Sequence, residues 1–248
     1  MPLRRRALLL CVLAVGAPIP VSAQADPPPS AYEARLDSIL YALERPGHTA
    51  AALEAYRAVE RDLLQRELAP SDPGYPAQQR TLAYVLLRQG NMLRQLGREA
   101  EALQVAEREL AAARASGDPL TEARTEFSFG ATLLANRQTA RGMVHLERAR
   151  ELFAGREEPD FRQGLGWYWI IRADLARAGL VAATPEEMIG FADAALEVLM
   201  PVENWAGVAR AHAARAYARE QLGQREAAAA DREAETRYTA LADQQPEP

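Results

Sequence analysis

The sequence predicts an all-α fold, a solenoid of about five antiparallel helix pairs, and three observations point to it. Stretches rich in alanine, leucine, glutamate and arginine space their apolar residues three and four apart, the period of a helix with one buried face. No run of four to eight residues alternates apolar and polar as a half-buried strand would. Breakers recur regularly: Gly179 and Gly223 are 44 residues apart, and Gly97 and Gly179 are 82 apart with a further break near Asn136 and Arg137. A unit of two helices every 40 to 44 residues implies a stacked array, because one pair cannot bury its apolar stripe alone.

Residues 1–23 read as a secretory signal peptide outside that array. Arg4, Arg5 and Arg6 form a basic start, Ala7 to Ala17 an apolar run, and Val21-Ser22-Ala23 a small-residue cleavage site. Cleavage is expected after Ala23, with Ala25 as the alternative, by the general secretory route rather than the twin-arginine one. Cys11 lies inside the apolar run, a poor place for lipid attachment. A proline-rich leader, 24–30, follows, then a single repeat domain over 31–242 and a disordered tail over 243–248.

Helices are expected at about 31–44, 49–68, 77–96, 98–116, 119–136, 138–154, 161–178, 185–199, 203–222 and 224–242. Several ends have a stated cause. Asp118 before Pro119 supplies a capping oxygen and then a proline at the first helical position, where a missing N–H costs nothing. Thr184 and Glu187 are spaced as a capping box. Gly47, Gly97, Gly179 and Gly223 stand where a left-handed residue ends a helix. Pro159 and Pro201 are expected to stop what precedes them, and Gly164 and Gly166 to mark a close approach of a neighbouring helix.

At "LLRQGNMLRQLGREAEALQVAEREL", residues 86–110, the chain resembles the tetratricopeptide repeat family. Leu86, Gly90, Leu93, Gly97 and Ala102 match its motif, with Gln89 in place of the usual leucine. A second copy has Phe129, Gly130, Leu133 and Gly142, with Arg137 at the turn. A third runs through Tyr168, Ile171, Leu175 and Gly179, with Arg172 at the small position, and a fourth through Ala216, Gly223 and Ala228. A degenerate pair, Tyr32 to Leu68, precedes them.

The resemblance implies a right-handed superhelix whose first helices line a concave groove for a peptide or protein. By that alignment the groove residues are Tyr84, Leu87, Asn91 and Arg94, then Arg124, Phe127 and Ala131, then Trp169, Ala173 and Arg177, then Arg210 and Tyr217. Asn91 matches one residue of the family's carboxylate clamp, but Leu87 stands where its lysine would be. Arg94, Arg124, Arg177 and Arg210 could still meet an acidic group through two hydrogen bonds each. In Trp167-Tyr168-Trp169, successive residues point about 100° apart, so the triplet divides. Tyr168 belongs to the core, Trp169 to the groove, and Trp167 is expected against the preceding pair.

Composition narrows the function further. Without residues 1–23 the chain carries 26 bases against 34 acids, a net charge near −8 that repels nucleic acid and anionic membrane surfaces. It also carries no cysteine there, so burial and not disulfides must hold it together. All 29 bases are arginine, which excludes chemistry that needs a lysine. His48, His145 and His212 are scattered without metal-ligand spacing. Glu157-Glu158 reads as a solvated loop and Glu186-Glu187 as helix N-terminal charge. Arg98, Glu99, Glu101, Glu107 and Arg108 read as a solvated helix face. The expectation is a periplasmic or secreted scaffold, not an enzyme, with no cofactor and no membrane insertion, that binds a protein or peptide. The alternatives are a partner subunit of an envelope signalling system and, less favoured, a periplasmic hydrolase with an α-superhelical body.

Overall fold

The computed structural model describes residues 31–45 and 47–245, so the expected signal peptide and leader and residues 246–248 lie outside it. Among the described residues there are ten α-helices and no strand. They are α1 Ala31–Leu43, α2 Thr49–Leu64, α3 Tyr75–Gln95, α4 Glu99–Ser116 and α5 Pro119–Ala135. After these come α6 Thr139–Phe153, α7 Pro159–Arg177, α8 Pro185–Leu199, α9 Trp205–Gln221 and α10 Arg225–Ala242, with a 3-10 turn at Met200–Val202. None of the ten is long and apolar enough to cross a membrane.

Every expected helix is present, and the differences lie at the ends. α2 stops at Leu64 rather than residue 68, and α3 starts at Tyr75 rather than 77. Pro159 does not stop α6, which ends at Phe153, but opens α7, where its missing N–H has no helical partner to lose. Asp118 accepts from the Thr121 amide at 2.8 Å, and Thr184 and Glu187 form the reciprocal capping box.

The helices form two compact units, divided between Arg148 and Ala149. In the first, α1 packs on α2, α2 on α3, α3 on α4, and α5 on both α4 and α3. One apolar cluster joins Leu36 and Ile39 of α1, Leu53 and Tyr56 of α2, Leu86 and Leu93 of α3 and Ala102 of α4. Ala106, Leu110, Phe129 and Leu133 continue it between α4 and α5. In the second unit, α7 packs on α8 and α9, α8 on α9, and α9 on α10. Its cluster holds Ile170, Leu199, Val208 and Ala211, with Trp167, Trp169 and Trp205 packed against it.

One turn is repeated four times. The amide of Arg98 reaches the Leu93 carbonyl, Gln138 reaches Leu133, Leu180 reaches Leu175 and Gln224 reaches Arg219, each at 2.9 Å. The residue before each amide is left-handed: Gly97 at φ 70°, Arg137 at 60°, Gly179 at 68° and Gly223 at 71°. This pattern satisfies carbonyls that the last helical turn leaves without partners. Arg137 therefore makes the same turn as the glycines, at the cost of a conformation its Cβ disfavours.

Glycine also sets packing distances. A Cβ on Gly130 would lie 2.9 Å from the Gly142 carbonyl oxygen, so α5 and α6 touch backbone to backbone. On Gly164 it would lie 2.2 Å from the Phe153 ring, and on Gly166 2.3 Å from Leu199. The expected close approach of neighbours to α7 is thus present.

Candidate functional site

The groove residues expected from sequence fall into two sets, one in each unit. In the first unit they lie on α3 and α5. Tyr84 is 37% exposed and Tyr41 of α1, which the sequence did not single out, is 68% exposed. Beside them, Arg88 and Glu44 form a buried ion pair, Nε to Oε1 at 2.7 Å, and Tyr56 donates to the same carboxylate at 2.6 Å. Burial, more than the nearby charges, raises the Tyr84 hydroxyl above its usual range, so it stays a neutral donor.

Asn91 and Arg94 come together one turn further along α3. The Arg94 guanidinium donates to the Asn91 side chain and, at 3.1 Å, to Thr132 of α5. Both partners are neutral, and burial lowers the guanidinium below its ordinary value despite Glu109 and Glu99 nearby. Glu109 itself is 3% exposed. Burial pushes its carboxyl up to about 8, and a hydrogen bond with Thr125 and the charge of Arg94 offset only part of this. Phe127 and Ala131, expected on the groove line, are each 8% exposed and belong to the interior. The reason is that α5 is covered by α3 as well as by α4. Arg124 is half-buried.

In the second unit, Arg177 and Arg210 are drawn together by a residue that sequence reading missed. Asp174 is buried, and it accepts from Arg177 at 2.9 Å through Oδ1 and from Arg210 at 2.7 and 3.1 Å through Oδ2. The Arg210 guanidinium also stands 5.9 Å from the Trp167 ring centre. Trp167 therefore faces α9, the first helix of the next pair. Trp169 stacks on Phe191 of α8 at 5.9 Å and meets Tyr168 edge to face at 4.8 Å. Arg172 covers the same Phe191 at 5.1 Å. Ala173, expected beside Trp169 on the groove line, is fully buried, and Tyr217 is half-buried. Tyr168, Ile171 and Leu175 are core, as their spacing implied.

No protein-family model matches the sequence, and no curated protein matches it. Solved structures do match in fold. BtubC (BKLC) from P. vanneervenii aligns with a TM-score of 0.60 at 15% identity, over 89% of this chain and 96% of its own. A kinesin-light-chain-like protein of Podosopora anserina with nearly identical TPR-like repeats aligns with a TM-score of 0.51 at 15% identity, over 86% and 95%. The fold is that of the tetratricopeptide-like helical repeats.

In these repeats α1, α3, α5, α7 and α9 are the first helices and carry every residue of the expected groove. What sequence reading missed was mostly the acid opposite each cation. Asp174 and Arg177 share a helix at a spacing of three, a signal that was legible. Asp174 and Arg210 are 36 residues apart, and Arg94 and Thr132 are 38 apart, so stacking alone brings them together.

Two of the three histidines, His145 and His212, meet carboxylates. His145 Nδ1 lies 2.7 Å from Glu126 and His212 Nδ1 lies 2.9 Å from Asp231. Among the described residues, no group of three or more His, Cys, Asp or Glu could hold a metal ion.

Proposed function

We propose that this chain is an exported, non-catalytic scaffold that holds a protein or peptide against its first helices. The observation that carries this reading is the set of aromatic and arginine side chains half-exposed there, Tyr84 above all, with Tyr41 beside it. Tyrosine offers broad contact area with little rotamer entropy to lose, which suits a recognition surface. Arg177 and Arg210 contribute differently: Asp174 fixes their forks, so a partner meets them already oriented. The sequence left these arginines able to meet an acidic group, and Asp174 of the chain itself is one such group. Trp167, beside Arg210, joins the candidates, while Trp169 is committed in large part to Phe191.

Export rests on residues 1–23, and the mature protein is expected to begin at Gln24 when sequenced from its N-terminus. Binding is tested by placing a photo-crosslinking residue at Tyr41, Tyr84 or Arg177 in the native cell envelope. Val144, 67% exposed on α6, serves as the control on a second helix. A discrete crosslinked partner is expected from the first-helix positions and none from Val144. Equal crosslinking from both sets, or none from either, overturns the reading.

A further inference from the structure

The left-handed turns at Gly97, Arg137, Gly179 and Gly223 put four repeats in a common register. One first-helix position in that register is filled differently each time. Eleven residues before the turn stand Leu86, Glu126, Tyr168 and His212. The first three are buried, and the His212 side chain is 12% exposed. In three of the pairs the second helix begins two residues after the turn, at Glu99, Thr139 and Arg225. Eight residues after those turns stand Val105, His145 and Asp231.

The two positions face each other. Leu86 and Val105 belong to one apolar cluster. His145 Nδ1 of α6 lies 2.7 Å from Oε2 of Glu126 on α5, and His212 Nδ1 of α9 lies 2.9 Å from Oδ1 of Asp231 on α10. The same contact is therefore acid to histidine in one pair and histidine to acid in the other. Both acids are buried and take further cations. Glu126 is met by Arg114 of α4 at 2.6 Å, and Asp231 by Arg215 and Arg219 of α9 at 2.7 and 2.8 Å. On α10 only Ala228 and Asp231 are buried, so this contact is a large part of what docks that helix.

The reversed order bears on which helices can pair. With α10 laid on α5, Asp231 would face Glu126, and its own three bases would stay behind on α9. Two buried carboxylates would then share Arg114. With α6 laid on α9, His145 would face His212, Arg215 and Arg219 without the carboxylate of Asp231. Each mismatch buries like beside like, which costs far more than burying a matched pair. On α3–α4, Leu86 and Val105 would leave either acid without a counter-charge.

We infer that the reversed acid–histidine contacts are a pairing code, by which α5 accepts α6, α9 accepts α10, and each refuses the other's second helix. The code acts while the array assembles, so it goes beyond the scaffold reading and stands without it. Specificity of this kind comes from penalising the wrong partner as much as from favouring the right one.

The test is refolding of the full chain from guanidinium chloride, read as the share that regains the parent's elution volume and its resistance to trypsin. Glu126→His together with His145→Glu keeps the contact but gives α5–α6 the order of α9–α10. Its native share is expected to fall about threefold or more below the parent's, because α6 and α10 now suit either first helix. Adding His212→Asp and Asp231→His makes the two orders opposite again, and the native share should recover toward the parent's. Local damage without a code predicts the reverse, since four changes disturb more than two. A first variant that refolds as completely as the parent, or a fourfold variant that recovers no better than the first, overturns the inference.

Discussion

The pairs α3–α4 and α5–α6 follow one another along the chain and obey the repeat motif in opposite ways. α3–α4 matches it well, with Gly90 at the small position and Gly97 at the turn. Yet a Cβ on Gly90 would meet only the Arg94 guanidinium, at 3.6 Å, so no neighbouring helix demands a glycine there. α5–α6 matches poorly and turns on Arg137, but Gly130 and Gly142 bring its two backbones into contact. Their buried acids differ as well. Glu126 of α5, with no exposed surface, is met by Arg114 at 2.6 Å and His145 at 2.7 Å. Glu109 of α4 has Thr125 and the more distant charge of Arg94. Agreement with a motif therefore records which residue stands at a position, while the strength of the demand for it comes from what packs opposite.

The largest expected effect breaks the comparison at the acids. Glu109 has its folded value raised from 4.5 to about 8, so between those limits the folded chain holds a proton that the unfolded chain releases. Its contribution to stability is full below about pH 4.5, is lost as pH rises toward 8, and is flat beyond. The span amounts to a few kcal/mol, on the order of 1.4 per unit of pH. Glu109→Gln should remove this loss, so that unfolding midpoints measured across that range converge at low pH and favour the variant at high pH. A parent whose midpoint relative to the variant does not change with pH would refute the assignment.

Next comes the helix contact. Gly130→Ala is expected to cost about 1–3 kcal/mol in chemical denaturation, because a backbone oxygen stands where the new methyl must go. Gly142→Ala should cost about as much, and the double variant less than the sum, since both disturb one contact. Arg137→Gly should stabilise by about 1 kcal/mol by relieving the left-handed conformation. Smallest is Gly90→Ala, expected to stabilise by about 0.5–1 kcal/mol through helix propensity. If Gly90→Ala instead destabilised as strongly as Gly130→Ala, the contrast between the two pairs would collapse.

Periodicity, caps and breakers determined the helices because each depends on residues within one or two turns of one another. That is why Asp118, the Thr184–Glu187 box and the turns at Gly97, Gly179 and Gly223 were legible, and why the ends without such signals, near Leu64 and Tyr75, shifted. The core stripe of Tyr168, Ile171 and Leu175 was legible for the same reason. Tertiary structure alone decided which face of each first helix stayed open. Phe127 and Ala173 sat on the expected groove line, yet neighbouring helices cover them. Trp167 and Trp169 went to different neighbours, α9 and α8. The acids that fix Arg88 and Arg210 lie 44 and 36 residues away in sequence, a separation at which local pattern carries no information about contact. Helical spacing says which residues share a stripe, but the stacking of whole helices says what the stripe meets.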